Sequence, residues 1–261
     1  MKNNFTSKKP KITHVTFEHT VIAQEFDGFK ILHLSDLHNK EFGHEQSNLL
    51  EITKELEPDV ILVTGDIIDR RNIDIDKALQ YFDKAVKIAP VYFTSGNHEY
   101  RFGGYLKLKE KLIEIGVNVL DNKINEINKN NQIISIIGLD DINFFNDTEE
   151  FENTVQNLTQ NADGFKILMS HKPHAVNIYK DSEAHLVLSG HAHGGQIRLP
   201  IIGGLYAPGQ GIFPRYTSGL YNIGNGVSLI VNRGLGDSVF PWRINNPPQV
   251  ILITLKAQKK E

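Results

Sequence analysis

Short apolar runs that contain many β-branched and aromatic residues recur along the first three quarters of the chain. Each run is nearly continuous in its apolar character, which is typical of strands whose two faces are both covered. Small or polar residues follow each run, as expected where a buried strand ends. The pattern therefore predicts five buried strands, at residues 29–34, 60–63, 91–93, 165–169 and 186–188.

Segments with a helical spacing of apolar residues lie between these runs. Their apolar positions recur every three or four residues, as on the buried face of an amphipathic helix. This spacing predicts helices over residues 49–56, 78–86 and 106–115. Strands that alternate with helices are typical of βαβ units, so the sequence predicts an α/β fold.

Two further regions have the pattern of strands rather than helices. Residues 118–139 resemble a hairpin that turns at residues 129–132, and residues 219–255 resemble strands interrupted by glycine and proline. These regions predict a second sheet packed on the first. Because no repeat or linker divides the chain, we expect one domain over residues 1–261, with residues 1–11 flexible.

The composition restricts the chemistry that the chain can use. The 261 residues carry a formal net charge of −3 and are 40% apolar, so there is no broad basic field and we expect no sequence-specific nucleic acid binding. There is no cysteine, which excludes disulfides, thiolate zinc sites and a cysteine nucleophile. A metal site must therefore be built from His, Asp, Glu and Asn.

The N-terminus and the length of the apolar stretches indicate in which compartment the protein is expected. The N-terminus has several lysines but no following apolar segment, and no apolar stretch approaches the ~20 residues that a membrane helix needs. We expect a cytoplasmic protein or one peripheral to the membrane, or an extracytoplasmic one if a targeting segment has been removed.

Side chains of metal-binding types follow each of the five predicted strands. In open α/β sheets, ligands bind beyond the carboxyl ends of the strands. Asp36 and His38, and likewise His191 and His193, are two residues apart, and on extended backbone such a pair points the same way and can share an ion. The seven candidate ligands are Asp36, His38, Asp66, Asn97, His171, His191 and His193.

Seven ligands are enough to hold two divalent ions while leaving positions open for water and substrate. Two such ions outweigh the charges of Asp36 and Asp66, which favours an anionic substrate. Ligands that are oxygen and imidazole nitrogen suit Mn²⁺, Fe or Zn²⁺.

The order of these motifs resembles the calcineurin-like metallophosphoesterases. The matching segments read DLH, GDIID, GNHE, SHKP and GHAH, between Asp36 and His193. The segments HGGQIRLP and GIFPRY resemble most the bacterial YkuE-like phosphohydrolase branch. The resemblance implies the metallophosphatase fold, a four-layer α-β-β-α sandwich of two mixed sheets flanked by helices, and Mn²⁺ as the first choice of metal.

The resemblance also implies a role for each residue. One ion would be held by Asp36, His38, Asp66 and His193, and the other by Asp66, Asn97, His171 and His191. Metal-bound hydroxide would attack phosphorus without a phosphoenzyme. His98, paired with Asp69, would give a proton or hydrogen bond to the leaving group. Arg70 matches an arginine that clamps phosphate in one branch of the family.

The substrate is approached through the glycine- and aromatic-rich segment 203–226, which we expect to rim the metal cleft. In this hypothesis Tyr206, Phe213 and Tyr216 form an apolar wall, and Arg215 meets a substrate phosphate. The branch resemblance suggests a small-molecule or lipid-linked phosphate substrate, with cleavage of phosphodiester or pyrophosphate bonds in cell-envelope precursors, and it allows peripheral membrane contact.

Other interpretations of the same residues stay open. They are a phosphomonoesterase, a dinuclear hydrolase of amides or lactams, and a non-catalytic metal-binding scaffold. The HxHxDH pattern of metallo-β-lactamases is absent, and a pure scaffold would not need His98 and Asp69. Asp140 and Asp141 are expected to lie in a turn or to support the metal ligands without binding the metal. The six remaining histidines are expected to be structural, with His174 the strongest exception because it follows His171 by three residues.

Overall fold

The computed structural model describes residues 9–237 and 242–258, and in these residues the chain forms two six-stranded sheets and two short hairpins. Most strands are rich in Val, Ile, Leu and Phe, which fit a pleated surface covered on both sides. The sixteen strands, in chain order, are β1 (Lys11–His19), β2 (Lys30–Leu34), β3 (Val60–Thr64), β4 (Val91–Thr94), β5 (Asn118–Val119), β6 (Lys123–Lys129), β7 (Gln132–Gly138), β8 (Phe165–Met169), β9 (Leu186–Ser189), β10 (Arg198–Leu199), β11 (Gly203–Gly204), β12 (Tyr206–Ala207), β13 (Gly211–Ile212), β14 (Gly219–Gly224), β15 (Val227–Val231) and β16 (Gln249–Ala257).

Six α-helices join these strands within the described part of the chain. The three predicted helices are confirmed as α1, α2 and α4, while α3, α5 and α6 were not predicted. Helix α5 buries Phe151, Val155 and Thr159, so its buried stripe is narrow and includes a polar residue, and Asp147 caps its first turn by accepting the Glu150 N–H. The bounds are α1 (Ser47–Leu56), α2 (Ile75–Ala85), α3 (Asn97–Phe102), α4 (Tyr105–Glu114), α5 (Thr148–Gln160) and α6 (Val176–Lys180).

Both sheets are mixed, and the predicted buried strands lie in their parallel parts. The first sheet has the order β1-β16-β2-β3-β4-β5, in which β2 to β5 run parallel and β16 is antiparallel to β2. The second has the order β14-β15-β9-β8-β7-β6, with β7, β8, β9 and β15 parallel. The five motif-bearing strands therefore end at the seam between the two sheets.

Two details of the predicted second sheet are wrong. Strand β16 belongs to the first sheet, where it lies between β1 and β2, and residues 118–119 form the edge strand of that same sheet. The hairpin itself is confirmed as β6 and β7. It turns at Asn130 and Asn131, whose left-handed backbone suits a tight hairpin turn.

Three apolar layers fill the space between four layers of secondary structure, so the predicted α-β-β-α sandwich is confirmed. Ile31 and Leu62 of the first sheet pack against the second sheet, with Ile136 and Ile167 among their partners. Their chain neighbours point the other way: the opposite face of the first sheet packs on helices α1, α2 and α4, and that of the second on α5 and α6. Alternation along each strand therefore produces the sandwich.

The described part of the chain contains no helix that is long and apolar enough to cross a membrane. The flexible segment predicted over residues 1–11 falls mainly on residues 1–8, which lie outside the described residues. Strand β1 begins at Lys11 and runs parallel to β16.

A buried asparagine ties the two sheets together beside the seam. The Asn232 side-chain amide, at the end of β15, donates to the His33 carbonyl in β2 at 2.8 Å, and its Oδ1 accepts the Gly234 N–H at 2.9 Å. Asn232 is fully buried. It therefore supplies polar partners that water cannot supply at this position.

We predict that Asn232→Leu lowers the free energy of unfolding by roughly 1–3 kcal/mol for each buried group that loses its partner. Urea unfolding in the presence of a chelator measures this change without a contribution from metal binding. The matched control is Asn222→Leu on the neighbouring strand β14, where the side chain is exposed and a change within about 0.5 kcal/mol is expected. Equal effects of the two substitutions would contradict the assigned role of Asn232.

Candidate metal centre

All seven candidate ligands come together at the seam between the sheets, and each is at most 8% exposed. They reach this place because the strands that precede them end there. Loops after neighbouring parallel strands then lie side by side. Asp36 and His38 follow β2, Asp66 follows β3, Asn97 opens α3 after β4, His171 follows β8, and His191 and His193 follow β9.

One group of ligands consists of Asp36, His38 and His193, whose ligand atoms lie within 4.8 Å of one another. The two Nε2 atoms of His38 and His193 are 3.2 Å apart, and His193 Nε2 lies 3.3 Å from Asp36 Oδ1. Asp66 Oδ2 is 3.8 Å from His38 Nε2. Two ring nitrogens this close need a proton or a cation between them, because their lone pairs otherwise repel.

A second group consists of Asp66, His171 and His191. His171 Nε2 lies 3.1 Å from Asp66 Oδ2 and 3.2 Å from His191 Nδ1. The buried Oδ1 of Asn97 accepts no hydrogen bond from the described residues. Both groups thus offer nitrogen and oxygen atoms to a divalent cation, and Asp66 contacts both, so the donor set fits the implied metals.

The predicted local geometry of the ligand pairs is wrong, and the assignment of each ligand to one of two ions stays a prediction. The backbone of Asp36, His38, Asp66, His191 and His193 is left-handed, with φ between 46° and 64°, rather than extended. Side chains two residues apart point to the same side on extended backbone, but not on left-handed backbone. His191 consequently points into one group and His193 into the other, whereas Asp36 and His38 do share a group.

Two ligand rings are held by hydrogen bonds to backbone carbonyls. His171 Nδ1 lies 2.7 Å from the Thr64 carbonyl, and His38 Nδ1 lies 3.2 Å from the Ile68 carbonyl. A carbonyl only accepts, so each Nδ1 carries a hydrogen, and each Nε2 faces the centre, where it would offer its lone pair to a metal once the ring is neutral. This arrangement is common behind metal-binding histidines and fixes both tautomer and ring orientation.

Glu99 holds the loops that carry the ligands, and the sequence analysis assigned it no role. Its buried carboxylate accepts N–H groups from Asp66 at 2.7 Å, from Ile67 at 2.9 Å and from Gly96 at 2.8 Å. Burial and the nearby Asp66 charge raise the pKa of Glu99 to about 7, against the effect of these N–H groups. The sequence signal that could have identified Glu99 was its position in the GNHE segment.

Glycine is required where these loops touch. A Cβ on Gly96 would lie 2.3 Å from Asp66 Oδ1 and 2.6 Å from the Asp66 backbone nitrogen. No side chain fits at that distance, so the loop after β4 approaches Asp66 only because residue 96 is glycine.

His98 lies beside Asp66 and the His38 ring: its Nε2 is 4.0 Å from Asp66 Oδ2, and the ring centres of His98 and His38 are 4.4 Å apart. Its Nδ1 accepts the Arg70 N–H at 3.2 Å, so the neutral ring carries its hydrogen on Nε2. Asp69 is 3.7 Å from Nδ1 and is bound instead by the Arg71 guanidinium, so the predicted pairing with His98 is a contact and not a hydrogen bond. Burial lowers the pKa of His98 to about 4. His98 is therefore neutral at pH 7.

The centre opens into a cavity of about 590 Å³, and most of the residues that line it are polar or charged. Among the described residues that line it, Asp66 is the one carboxylate, whereas Arg70, Arg101 and Lys172 bring positive charge. Lys172 Nζ lies 3.1 Å from Asp141 Oδ1. The sequence analysis missed Arg101 and Lys172, although Arg101 follows His98 by one helical turn and Lys172 lies inside the SHKP segment.

The predicted rim is correct only in part. Tyr206, Pro208 and Gly209 of the 203–226 segment line the cavity, as does His174, the expected exception among the histidines. Phe213, Tyr216 and Arg215 are not among the described lining residues. Phe213 has left-handed backbone and is exposed, and the Arg215 guanidinium lies 5.2 Å from the centre of the Tyr216 ring. The structure therefore does not bring Arg215 to the cavity.

Two groups of buried carboxylate and imidazole at the sheet seam, opening into a cationic cavity, define the class of metal-dependent hydrolases of phosphate esters. The model of the calcineurin-like phosphoesterase family matches residues 29–195. The chain belongs to this family. It is a metallophosphoesterase, a hydrolase of phosphoester bonds that uses divalent metal ions.

Individual relatives agree with this assignment. The metallophosphoesterase YkuE of Bacillus subtilis is 33% identical, with 93% of this chain and 85% of that protein covered. The phosphodiesterase YaeI of Escherichia coli is 28% identical, with 87% and 82% covered. Among solved structures, TT1561 of Thermus thermophilus has the same fold, with a TM-score of 0.51, 13% identity and 78% of this chain and 89% of that chain covered.

We predict that metal binding at pH 7 releases at least one proton per chain. Burial acts to lower the pKa of His171, but the Asp66 and Asp36 carboxylates outweigh it and raise that pKa to about 10 in the metal-free protein. His171 is then protonated at pH 7 and must become neutral to bind a metal, so the affinity should increase as the pH rises towards 10.

Calorimetric titration with Mn²⁺ in two buffers of different ionisation enthalpy measures the released protons. His14→Gln, at an exposed histidine away from the centre, is the matched control and should leave the proton count unchanged. A heat of binding that is independent of the buffer would contradict the prediction.

Proposed function

We propose that the protein uses two divalent ions to hydrolyse phosphodiester or pyrophosphate bonds, with a cell-envelope or lipid-linked precursor as its substrate. The observation that carries the proposal is that two separate ligand groups share Asp66. Asp36, His38, Asp66 and His193 would hold one ion, and Asp66, Asn97, His171 and His191 the other. Mn²⁺ is the first candidate, and Zn²⁺ or Fe also suits these ligands.

The cavity supports a substrate larger than a simple phosphate. At about 590 Å³ it is large enough for a drug-sized ligand, and its cations lie at several positions around the opening. Arg70 and Arg101 can each meet phosphate oxygens in a bidentate manner, while Lys172 acts as a point charge. A relative of this chain is named as a phosphodiesterase, which supports diester cleavage.

When bound, the ions would supply Lewis acidity and a nucleophilic water at neutral pH. The residues around them orient the substrate: Arg70, Arg101 and Lys172 attract its anionic groups. Neutral His98 presents its Nε2 hydrogen on the side of Asp66 Oδ2, 4.0 Å away. Because its pKa is far below 7, His98 is suited to donate a hydrogen bond to the departing oxygen at neutral pH.

The proposal predicts that chelator-stripped protein hydrolyses bis(p-nitrophenyl) phosphate only after Mn²⁺, Zn²⁺ or Fe²⁺ is added. Asp66→Asn should lower kcat by at least about 10²-fold, since both groups lose a shared carboxylate. Asp83→Asn, at an exposed aspartate on α2, is the matched control and should keep full activity. Hydrolysis of p-nitrophenyl phosphate alone would replace the diesterase by a monoesterase, and metal binding without turnover on either ester would favour a scaffold.

We further predict that His98→Ala keeps its metal content and lowers kcat by about 10²–10⁴-fold on a diester with an alkyl leaving group. The loss should be smaller with p-nitrophenolate, which leaves without help from a hydrogen-bond donor. Elemental analysis of the purified variant and rates with the two leaving groups test this. Equal losses with both leaving groups would remove His98 from leaving-group departure.

A further inference from the structure

Exposed apolar side chains are concentrated beside the cavity and leave the rest of the surface largely polar. Of the fifteen large apolar residues that are exposed in the described chain, nine lie between residues 199 and 244. Isolated exposed apolar residues are ordinary, but a cluster indicates contact with another surface. We call this cluster the apolar shoulder, and it is represented by Leu199, Ile201, Ile202, Ile212, Phe213 and Trp242.

Backbone hydrogen bonds hold the apolar shoulder together as one surface. The hairpin of β10 and β11 carries Ile201 and Ile202 at its tip, and the Arg198 N–H donates to the Ile244 carbonyl beside Trp242. The hairpin of β12 and β13 joins them through Leu205, whose carbonyl accepts the Phe213 N–H at 2.9 Å. The shoulder is therefore built from adjacent loops.

Ile201, at the tip of the first hairpin, is unfavourable in two respects: its apolar side chain is exposed to water, and its backbone is left-handed. Ile201 is 108% exposed and has φ of 69°, in the left-handed region that β-branched residues rarely adopt. Glycine or asparagine would suit both the backbone and the water. An isoleucine at this tip indicates that its side chain enters an apolar medium.

The charge pattern indicates which medium this is. From Ala184 to Gly236 the sequence has no aspartate or glutamate, although the whole chain has 31. Arg198 and Arg215 lie in the same segment, and Arg215 is exposed near Phe213. Trp242 lies beyond this segment, and Asp237, the one acidic residue between Gly236 and Gln249, is paired with Lys40 at 3.0 Å and lies 3.5 Å from Arg243 Nε. Aliphatic tips, tryptophan and arginine with few acidic neighbours are the combination that binds the interface of an anionic bilayer.

The apolar shoulder is also continuous with the cavity. Tyr206 lines the cavity and is the cross-strand partner of Ile212, which belongs to the shoulder. We propose that the shoulder inserts into the surface of an anionic phospholipid bilayer and brings the cavity mouth to it, so that a lipid-linked phosphate enters from the membrane. The substrate part rests on the proposed function, whereas the docking part does not.

The full chain is tested by sedimentation with vesicles of phosphatidylcholine containing about 30% phosphatidylglycerol, and with neutral vesicles. Trp242 is the only tryptophan in the sequence and is 65% exposed, so its emission reports insertion directly. We expect binding to the anionic vesicles with a shift of the emission to shorter wavelength. Failure of the protein to bind them, with unchanged emission, would overturn the proposal.

Ile201→Asn/Ile202→Ser is the decisive variant, because asparagine tolerates the left-handed backbone and both positions are exposed. We expect vesicle partitioning to fall by about tenfold or more. The matched control is Leu106→Gln/Ile113→Gln, which removes two exposed apolar side chains from α4 in the helical layer of the first sheet and should bind as the unaltered protein does. Equal binding of the two variants would overturn the assignment of the shoulder.

Two further readouts separate the possible failures. Hydrolysis of soluble bis(p-nitrophenyl) phosphate should be the same in both variants, so vesicle binding without any hydrolysis would remove the proposed function and leave the docking surface. A concentration-dependent dimer that Ile201→Asn/Ile202→Ser abolishes, without vesicle binding, would assign the apolar shoulder to a second copy of the chain and refute the membrane proposal.

Discussion

The buried carboxylate of Asp66 is the interaction on which both halves of the centre depend. Its Oδ2 lies near the His38 ring on one side and the His171 ring on the other, while its Oδ1 accepts the backbone N–H of His98 at 2.7 Å. A carboxylate that is 1% exposed is costly unless charges or donors surround it. Here the imidazoles supply that surrounding, a bound divalent cation would add to it, and Glu99 fixes the backbone that places the carboxylate. Metal affinity and the stability of the seam are therefore coupled.

The left-handed backbone of five candidate ligands means that forming the seam costs conformational free energy. Each non-glycine residue in this region costs on the order of 1–3 kcal/mol and persists only where its neighbours enforce it. Hydrogen bonds between adjacent loops do so, from Asp36 N–H to Gly65 and from His38 N–H to Asp66 at 3.0 Å. Loops that lie on one another in this way bring ligands from separate strands into one small volume, which extended strand exits would not achieve.

The sequence analysis succeeded where local signals dominate and failed where distant contacts decide. Continuous apolar runs identified the motif strands, because burial on both faces leaves no other choice of residues. Strand β1, which includes Lys11 and Glu18, shows no such run and is ordered by pairing with β16, more than 230 residues away. Glu99 and Lys172 lay inside quoted motifs, but only their contacts with Asp66 and Asp141 reveal what they do. The prediction for Arg215 was wrong for the opposite reason. Its position in a loop after the last motif suggested that it meets the substrate, but in the folded chain it does not line the cavity.

The distribution of charge follows from the approach of an anionic substrate. The acidic residues that give the chain its net charge of −3 are numerous on the outer helices, such as Glu51 on α1 and Glu150 on α5, while residues 184–236, which supply part of the cavity wall, contain none. An acidic rim would repel a phosphate group before the cations could attract it, and would also repel an anionic surface. The acid-free segment therefore serves the cavity and the apolar shoulder at the same time, which explains why both lie on one side of the molecule.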